Sequence, residues 1–71
     1  MDNLIIKTDE IKKAREMRGY SMRDMAKFMN VKSQSTYFKI ENGKIDVKIS
    51  QALMISRILK QPITNFFKLK V

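Results

Sequence analysis

Nothing in this chain can staple it. Its 71 residues include no Cys and no His, so neither a disulfide nor a zinc site with the usual ligands can compensate for a small core. The residues must fold as one unit that uses nearly every apolar side chain it has. A two-domain enzyme, a sensing domain joined to a binding domain and a repeat array all need more chain than this. The same absence removes thiol nucleophiles and the commonest general base. The seven carboxylates are scattered without an evident pair, so the expectation is no enzyme, no cofactor, no metal and no small-molecule ligand. No apolar stretch approaches the roughly 18 to 20 residues that span a bilayer, and the start Met-Asp-Asn-Leu lacks the basic region of a signal peptide. A cytoplasmic protein with no membrane partner is expected.

With 2 Gly and 1 Pro there is no linker, no low-complexity tract and no repeat, and the few helix breakers divide the chain cleanly. Thr8 is placed to N-cap a first helix over Asp9 to Arg18, with Asp9 and Glu10 at the positive end of its dipole and Gly19 as its stop. Within it Ile11, Ala14 and Arg18 share one face. Ser21 stands three residues before Asp24, a capping-box spacing that starts a second helix at Met22. Met25, Ala26, Phe28 and Met29 form its apolar stripe, and Asn30 tolerates the left-handed conformation that ends it. Ser33 caps a third helix over Gln34 to Glu41, which Asn42-Gly43 breaks. Asp46 is placed to cap a fourth helix whose apolar residues Ile49, Ala52, Leu53, Ile55, Ile58 and Leu59 are dense enough to make it the most buried element. It stops before Pro62, and Thr64 caps a last short turn. The end, Phe67-Lys68-Leu69-Lys70-Val71, alternates with period two like an edge strand, and Asn3 to Lys7 is also β-prone. The two tails can pair with each other or with those of a second copy.

The formal charge of +8 is unevenly spread. Residues 1 to 10 carry −2, residues 11 to 44 carry +6 and residues 45 to 71 carry +4. An anionic partner and a solubility surface are both consistent with the total. The surplus in the middle coincides with two short helices flanking a tight turn. In that arrangement the second helix can lie in a major groove while the first crosses the backbone.

Arg15, Gly19-Tyr20-Ser21, Met25-Ala26, Ser33-Gln34-Ser35-Thr36, the run Lys39 to Lys44, and Ile58-Leu59 through Phe66-Phe67 together resemble the helix-turn-helix family of Cro and phage cI-type repressors, often called Xre-like. The resemblance covers about residues 9 to 67. It implies an all-α, compact four- to five-helix lambda-repressor-like domain over residues 1–71, with room for short terminal β-strands and a helix-turn-helix at about 22–41. The turn Val31-Lys32-Ser33 holds one residue more than is usual in the family. Met22 stands where Gln is frequent, and Phe38 stands where the family is usually polar.

In this frame the first turn of the third helix reaches base edges. Gln34 can pair with adenine, Ser35 suits several bases, and Lys39 one turn on can reach guanine or a phosphate. Phe38, on the same outward face, is placed either against a thymine methyl or against Gln34 or Met22. Tyr37 and Ile40 face the scaffold. Met22, Arg23, Lys32, Ser33, Thr36, Asn42 and Lys44 surround the helix ends as phosphate contacts. The resemblance also implies a partly buried ion pair between Arg15 and Glu41, the alternative being two solvated charges. Phe66, Phe67, Leu69 and Val71 offer a dimer contact, or else close the chain's own core.

The function expected is a sequence-specific DNA-binding transcriptional regulator, a repressor that binds a palindromic operator in double-stranded DNA as a homodimer. Its setting would be the cytoplasm of a bacterium, with prophage origin included. The alternative is an antitoxin-like or anti-regulator module that uses the same fold to bind a protein.

Overall fold

Four helices and two terminal strands make up residues 4–69, the part of the chain that the computed structural model describes. Strand β1 (Leu4–Ile6) leads into α1 (Thr8–Met17), α2 (Met22–Phe28), α3 (Gln34–Glu41) and α4 (Ile49–Leu59). A 3₁₀ turn (Ile63–Asn65) and β2 (Phe67–Leu69) follow. The strands pair antiparallel, Leu4 opposite Leu69, Ile5 opposite Lys68 and Ile6 opposite Phe67. The tails therefore pair with each other, which ties the two ends of the described chain together.

All four helices stop the same way. Gly19, Asn30, Gly43 and Lys60 take φ of 71°, 55°, 69° and 53°. The residue after each donates its N–H to a carbonyl five residues back: Tyr20 to Arg15, Val31 to Ala26, Lys44 to Lys39 and Gln61 to Ser56, at 2.8 to 3.1 Å. Left-handed residues at these stops reverse the chain abruptly and satisfy carbonyls that a helix end otherwise leaves bare. Short helices follow from such frequent reversal.

Helix starts divide into two kinds. At α2, Ser21 Oγ accepts from the Asp24 N–H at 3.0 Å and Asp24 accepts from the Ser21 N–H at 2.9 Å, a full capping box. At α3, Ser33 Oγ accepts from the Thr36 N–H at 3.3 Å. The other starts differ from the sequence expectation. Thr8 is the first helical residue of α1 and not its cap; Lys7 holds the cap position without a side-chain bond. The sheet decides this, because the Lys7 N–H donates to the Phe66 carbonyl at 2.7 Å and fixes where the chain turns into the helix. Asp46 does not cap α4 either. Val47 packs against the core and the chain stays extended through Lys48, whose N–H donates to Gln51 Oε1 at 3.0 Å. Thr64 lies inside the 3₁₀ turn, with Pro62 at its cap.

Ile11 from α1, Met25 from α2, Tyr37 and Ile40 from α3, Ile55 and Leu59 from α4, and Phe66 fill the centre with essentially no exposure. Two expectations about burial are corrected. Phe28 is half exposed, because α2 buries Met25, Ala26 and Met29 while Phe28 falls to the flank, its ring edge-on to Tyr20 at 5.1 Å between centroids. Helix α4 is not buried all round. Ala52, Ile55 and Leu59 enter the core, whereas Ile49, Leu53 and Met54 are exposed.

A Cβ at Gly19 meets nothing within 4 Å, but one at Gly43 lies 3.3 Å from Ile6 Cγ2 and 3.6 Å from Thr8 Cγ2. Gly19→Ala is expected to cost about 1 kcal/mol from backbone strain alone, and Gly43→Ala more, because β1 must also give way. Lys60→Gly relieves the same strain and should raise the melting temperature. Thermal unfolding of the three variants checks the order.

Candidate nucleic-acid interface

Helix α3 is held from beneath. Arg15 of α1 donates from Nε to Glu41 Oε1 at 2.6 Å and from Nη2 to Oε2 at 3.3 Å, a two-pronged pair between residues that are 8 % and 2 % exposed. Arg15 Nη1 continues to the Tyr20 carbonyl at 2.8 Å, and the Tyr37 hydroxyl donates to Glu41 Oε1 at 3.1 Å. One carboxylate at the end of α3 thus gathers α1, the loop into α2 and the middle of α3. No buried side-chain polar atom among the described residues is left without a partner.

The electrostatics follow from this closure. The hydrogen bond to Glu41 holds the Arg15 guanidinium above its ordinary value. Burial first, and then the neighbouring Glu41 charge, drive the Tyr37 phenol far above the ordinary tyrosine range. At the start of α2, the hydrogen bond from the Ser21 N–H holds the Asp24 carboxylate below its usual value.

With Tyr37, Ile40 and Glu41 turned inward, the opposite face of α3 is free. Gln34, Ser35, Phe38 and Lys39 are exposed and, with half-buried Met22 from the first turn of α2, line one shallow depression. The four residues expected to read bases are therefore brought together on one face. Met22 joins them through its side chain, which has no donor to offer a phosphate. Around this face Arg23, Lys32, Ser33, Asn42 and Lys44 are exposed and Thr36 is half-buried. Part of this rim is already engaged: Asn42 Nδ2 donates to the Phe38 carbonyl at 2.8 Å, and the Ser33 and Thr36 hydroxyls lie 3.3 Å apart.

The dimer residues are placed less favourably. Phe66 and Phe67 are 1 % and 3 % exposed and close this chain's own core, so they are not a free contact surface. They fall inward because the 3₁₀ turn packs on α4 and the strand pairing draws β2 back against β1. Leu69 remains more than half exposed, and Val71 lies outside the described residues. Sequence reasoning missed two anchors. One is the Tyr20 carbonyl; the other is Arg18 Nε, which donates to the Leu59 carbonyl at 3.1 Å and joins α1 to the end of α4. The Tyr37–Glu41 bond had a legible signal, a spacing of four on one helix.

A family model described as Helix-turn-helix matches residues 11–66, most of the chain. The chain belongs to the Cro/cI-type helix-turn-helix family. A search of curated proteins found no matching relative. The four helices and short terminal sheet form a lambda-repressor-like fold. Membership in the Cro/cI-type family implies DNA binding, and the family is not known as enzymatic. Among the described residues no helix is long and apolar enough to cross a membrane.

Arg15→Ala and Glu41→Ala are each expected to destabilise the Cro/cI-type domain by about 3 to 5 kcal/mol, because each strands a buried charge. The double substitution should cost less than the sum, a coupling that chemical denaturation of the four proteins measures. The raised Tyr37 pKa stabilises the fold fully below the unfolded phenol's value of about 10, and that stability is lost as pH rises further. In a Tyr20→Phe background the tyrosinate absorbance should appear only together with alkaline unfolding. The lowered Asp24 pKa works the other way: its contribution is present above about pH 4 and falls away on acidification, a loss that Asp24→Asn removes.

Proposed function

We propose that this domain is a sequence-specific transcriptional regulator, a repressor that reads a palindromic operator through the major groove as a homodimer. The observation that carries the reading is the division of α3 into a locked face and a free one. Tyr37, Ile40 and Glu41 fix its orientation, and Gln34, Ser35, Phe38 and Lys39 stand outward from its first two turns. Gln34 offers the donor and acceptor that match adenine, Ser35 either role, Phe38 an apolar contact, and Lys39 a charge for guanine or a phosphate.

Arg23, Lys32, Ser33, Thr36, Asn42 and Lys44, with the backbone N–H of Met22, are assigned to phosphates. These contacts supply grip and not sequence preference, so affinity should fall with salt with a slope near −0.9 per phosphate neutralised. No cofactor and no small-molecule ligand enter the mechanism, in which operator occupancy excludes polymerase. The working place is the bacterial cytoplasm, as a prophage-type regulator.

One such domain covers a half-site, and two copies about 34 Å apart read both halves of a palindrome. The surface assigned to the second copy is an apolar groove of about 450 Å³ between β2 and the start of α4, bounded by Leu4, Ile49, Ile63 and Leu69. Exposed Leu53 and Met54 extend the apolar surface of α4. Exposed Phe28 and Phe38 favour a second reading, an antitoxin-like or anti-regulator module whose main partner is a protein.

Gel shifts with Gln34→Ala separate the two readings. A DNA reader should lose its preference for a selected sequence over a scrambled one by about tenfold while keeping nonspecific binding. Unchanged preference would contradict the role of α3. Lys32→Ala should instead weaken both duplexes alike and reduce the salt slope by about one phosphate. For the dimer, Ile49→Lys with Leu69→Lys should shift sedimentation to the monomer without lowering helicity.

A further inference from the structure

We propose that Met22 and Phe38 together form a thymine-methyl reader inside the base-contacting face of α3. The inference rests on the DNA-binding reading above and deepens it. Helix α3 is otherwise polar where it faces outward, with Gln34, Ser35 and Lys39, yet Met22 and Phe38 make the lining of their shared depression mostly apolar. Phe38 is 44 % exposed, and Met22 closes the depression from the neighbouring helix. Met22 is also packed against the core, so this wall is supported from behind.

The chemistry of the occupant follows from the surroundings. A mostly apolar lining beside one amide and one ammonium does not suit a phosphate, which wants donors at every oxygen. It suits the one apolar group that the major groove displays, the C5-methyl of thymine. Gln34 at the rim supplies the amide that matches adenine N6 and N7, so the depression and its edge together fit an A·T step. The flexible Met22 thioether adapts to the methyl's position, and the Phe38 ring gives it a flat wall. Met22 thereby acts through its side chain on specificity, beside its backbone role at a phosphate.

Replacing thymine by uracil removes the methyl and leaves every hydrogen-bonding group in place, which isolates this contact. The site is first selected from random duplex DNA with the full chain. Each thymine of that site is then replaced in turn by uracil, and affinities are measured for the native chain, Phe38→Ala and Met22→Ala, with circular dichroism to confirm that the variants fold. One thymine per half-site should cost the native chain about fourfold in affinity when replaced, the transfer of a single methyl. The same replacement should cost the two variants nothing. If every uracil substitution in a selected site leaves native affinity within measurement error, the methyl reader is overturned while DNA reading stands. A penalty that persists undiminished in both variants overturns it too. If no sequence is enriched at all, the DNA-binding reading falls and takes this inference with it.

Discussion

The orientation of α3 depends on one buried carboxylate. Glu41 binds the Arg15 guanidinium by two prongs and the Tyr37 hydroxyl by a third bond, and Arg15 reaches on to the Tyr20 carbonyl. A charged group this deep is tolerated only when it is paired and its remaining lone pairs are satisfied. The arrangement therefore has little freedom to relax. A shift of α3 along or about its axis would break both prongs to Arg15, a residue that the Tyr20 carbonyl also holds in place. An apolar contact could hold α3 against the core equally well, but it would not define the helix's rotation so narrowly. That rotation is what sends Gln34, Ser35, Phe38 and Lys39 outward.

The rest of the fold works under the constraint of size. Without staples, the domain closes by pairing its own tails and turning Phe66 and Phe67 into the centre. Four left-handed helix stops keep the helices short enough to wrap so small a core. There is not enough polar surface left to cover everything, and Ile49, Leu53, Met54 and Leu69 stay outside. The apolar side chains proposed for the second copy are thus those the monomer could not bury, not the aromatic pair at its end.

Local chemistry was legible where the deciding residue lay close in sequence. Ser21 with Asp24, Ser33 with Thr36, and Gly19, Asn30 and Gly43 as stops are all determined within a few residues, and helices α2 and α3 follow from them. Thr8 and Asp46 misled because a contact distant in sequence, or a side chain packed on the core, overrode the local cap: Phe66 holds Lys7, and Val47 keeps the approach to α4 extended. Arg15 and Glu41 stand 26 residues apart, so no periodicity links them, and only the resemblance to a known family pointed to their pairing. The part played by Met22 in the depression was hidden for the same reason, since it needs the packing angle between two helices.

Function on this account divides between charge and shape. The positive surplus provides attachment that depends on salt and not on sequence. In the proposed function, choice of sequence belongs to a few uncharged or singly charged side chains on a helix whose orientation Glu41 fixes. The most direct measurement of this division is a titration of the isotope-labelled chain with a selected duplex, followed by amide NMR. The largest shifts are expected on Ser33 to Lys39 and the start of α2, with β1, β2 and α4 little changed beyond any dimer effect present before DNA is added. Shifts concentrated on the strands and α4, with the amides of α3 unmoved, would contradict it.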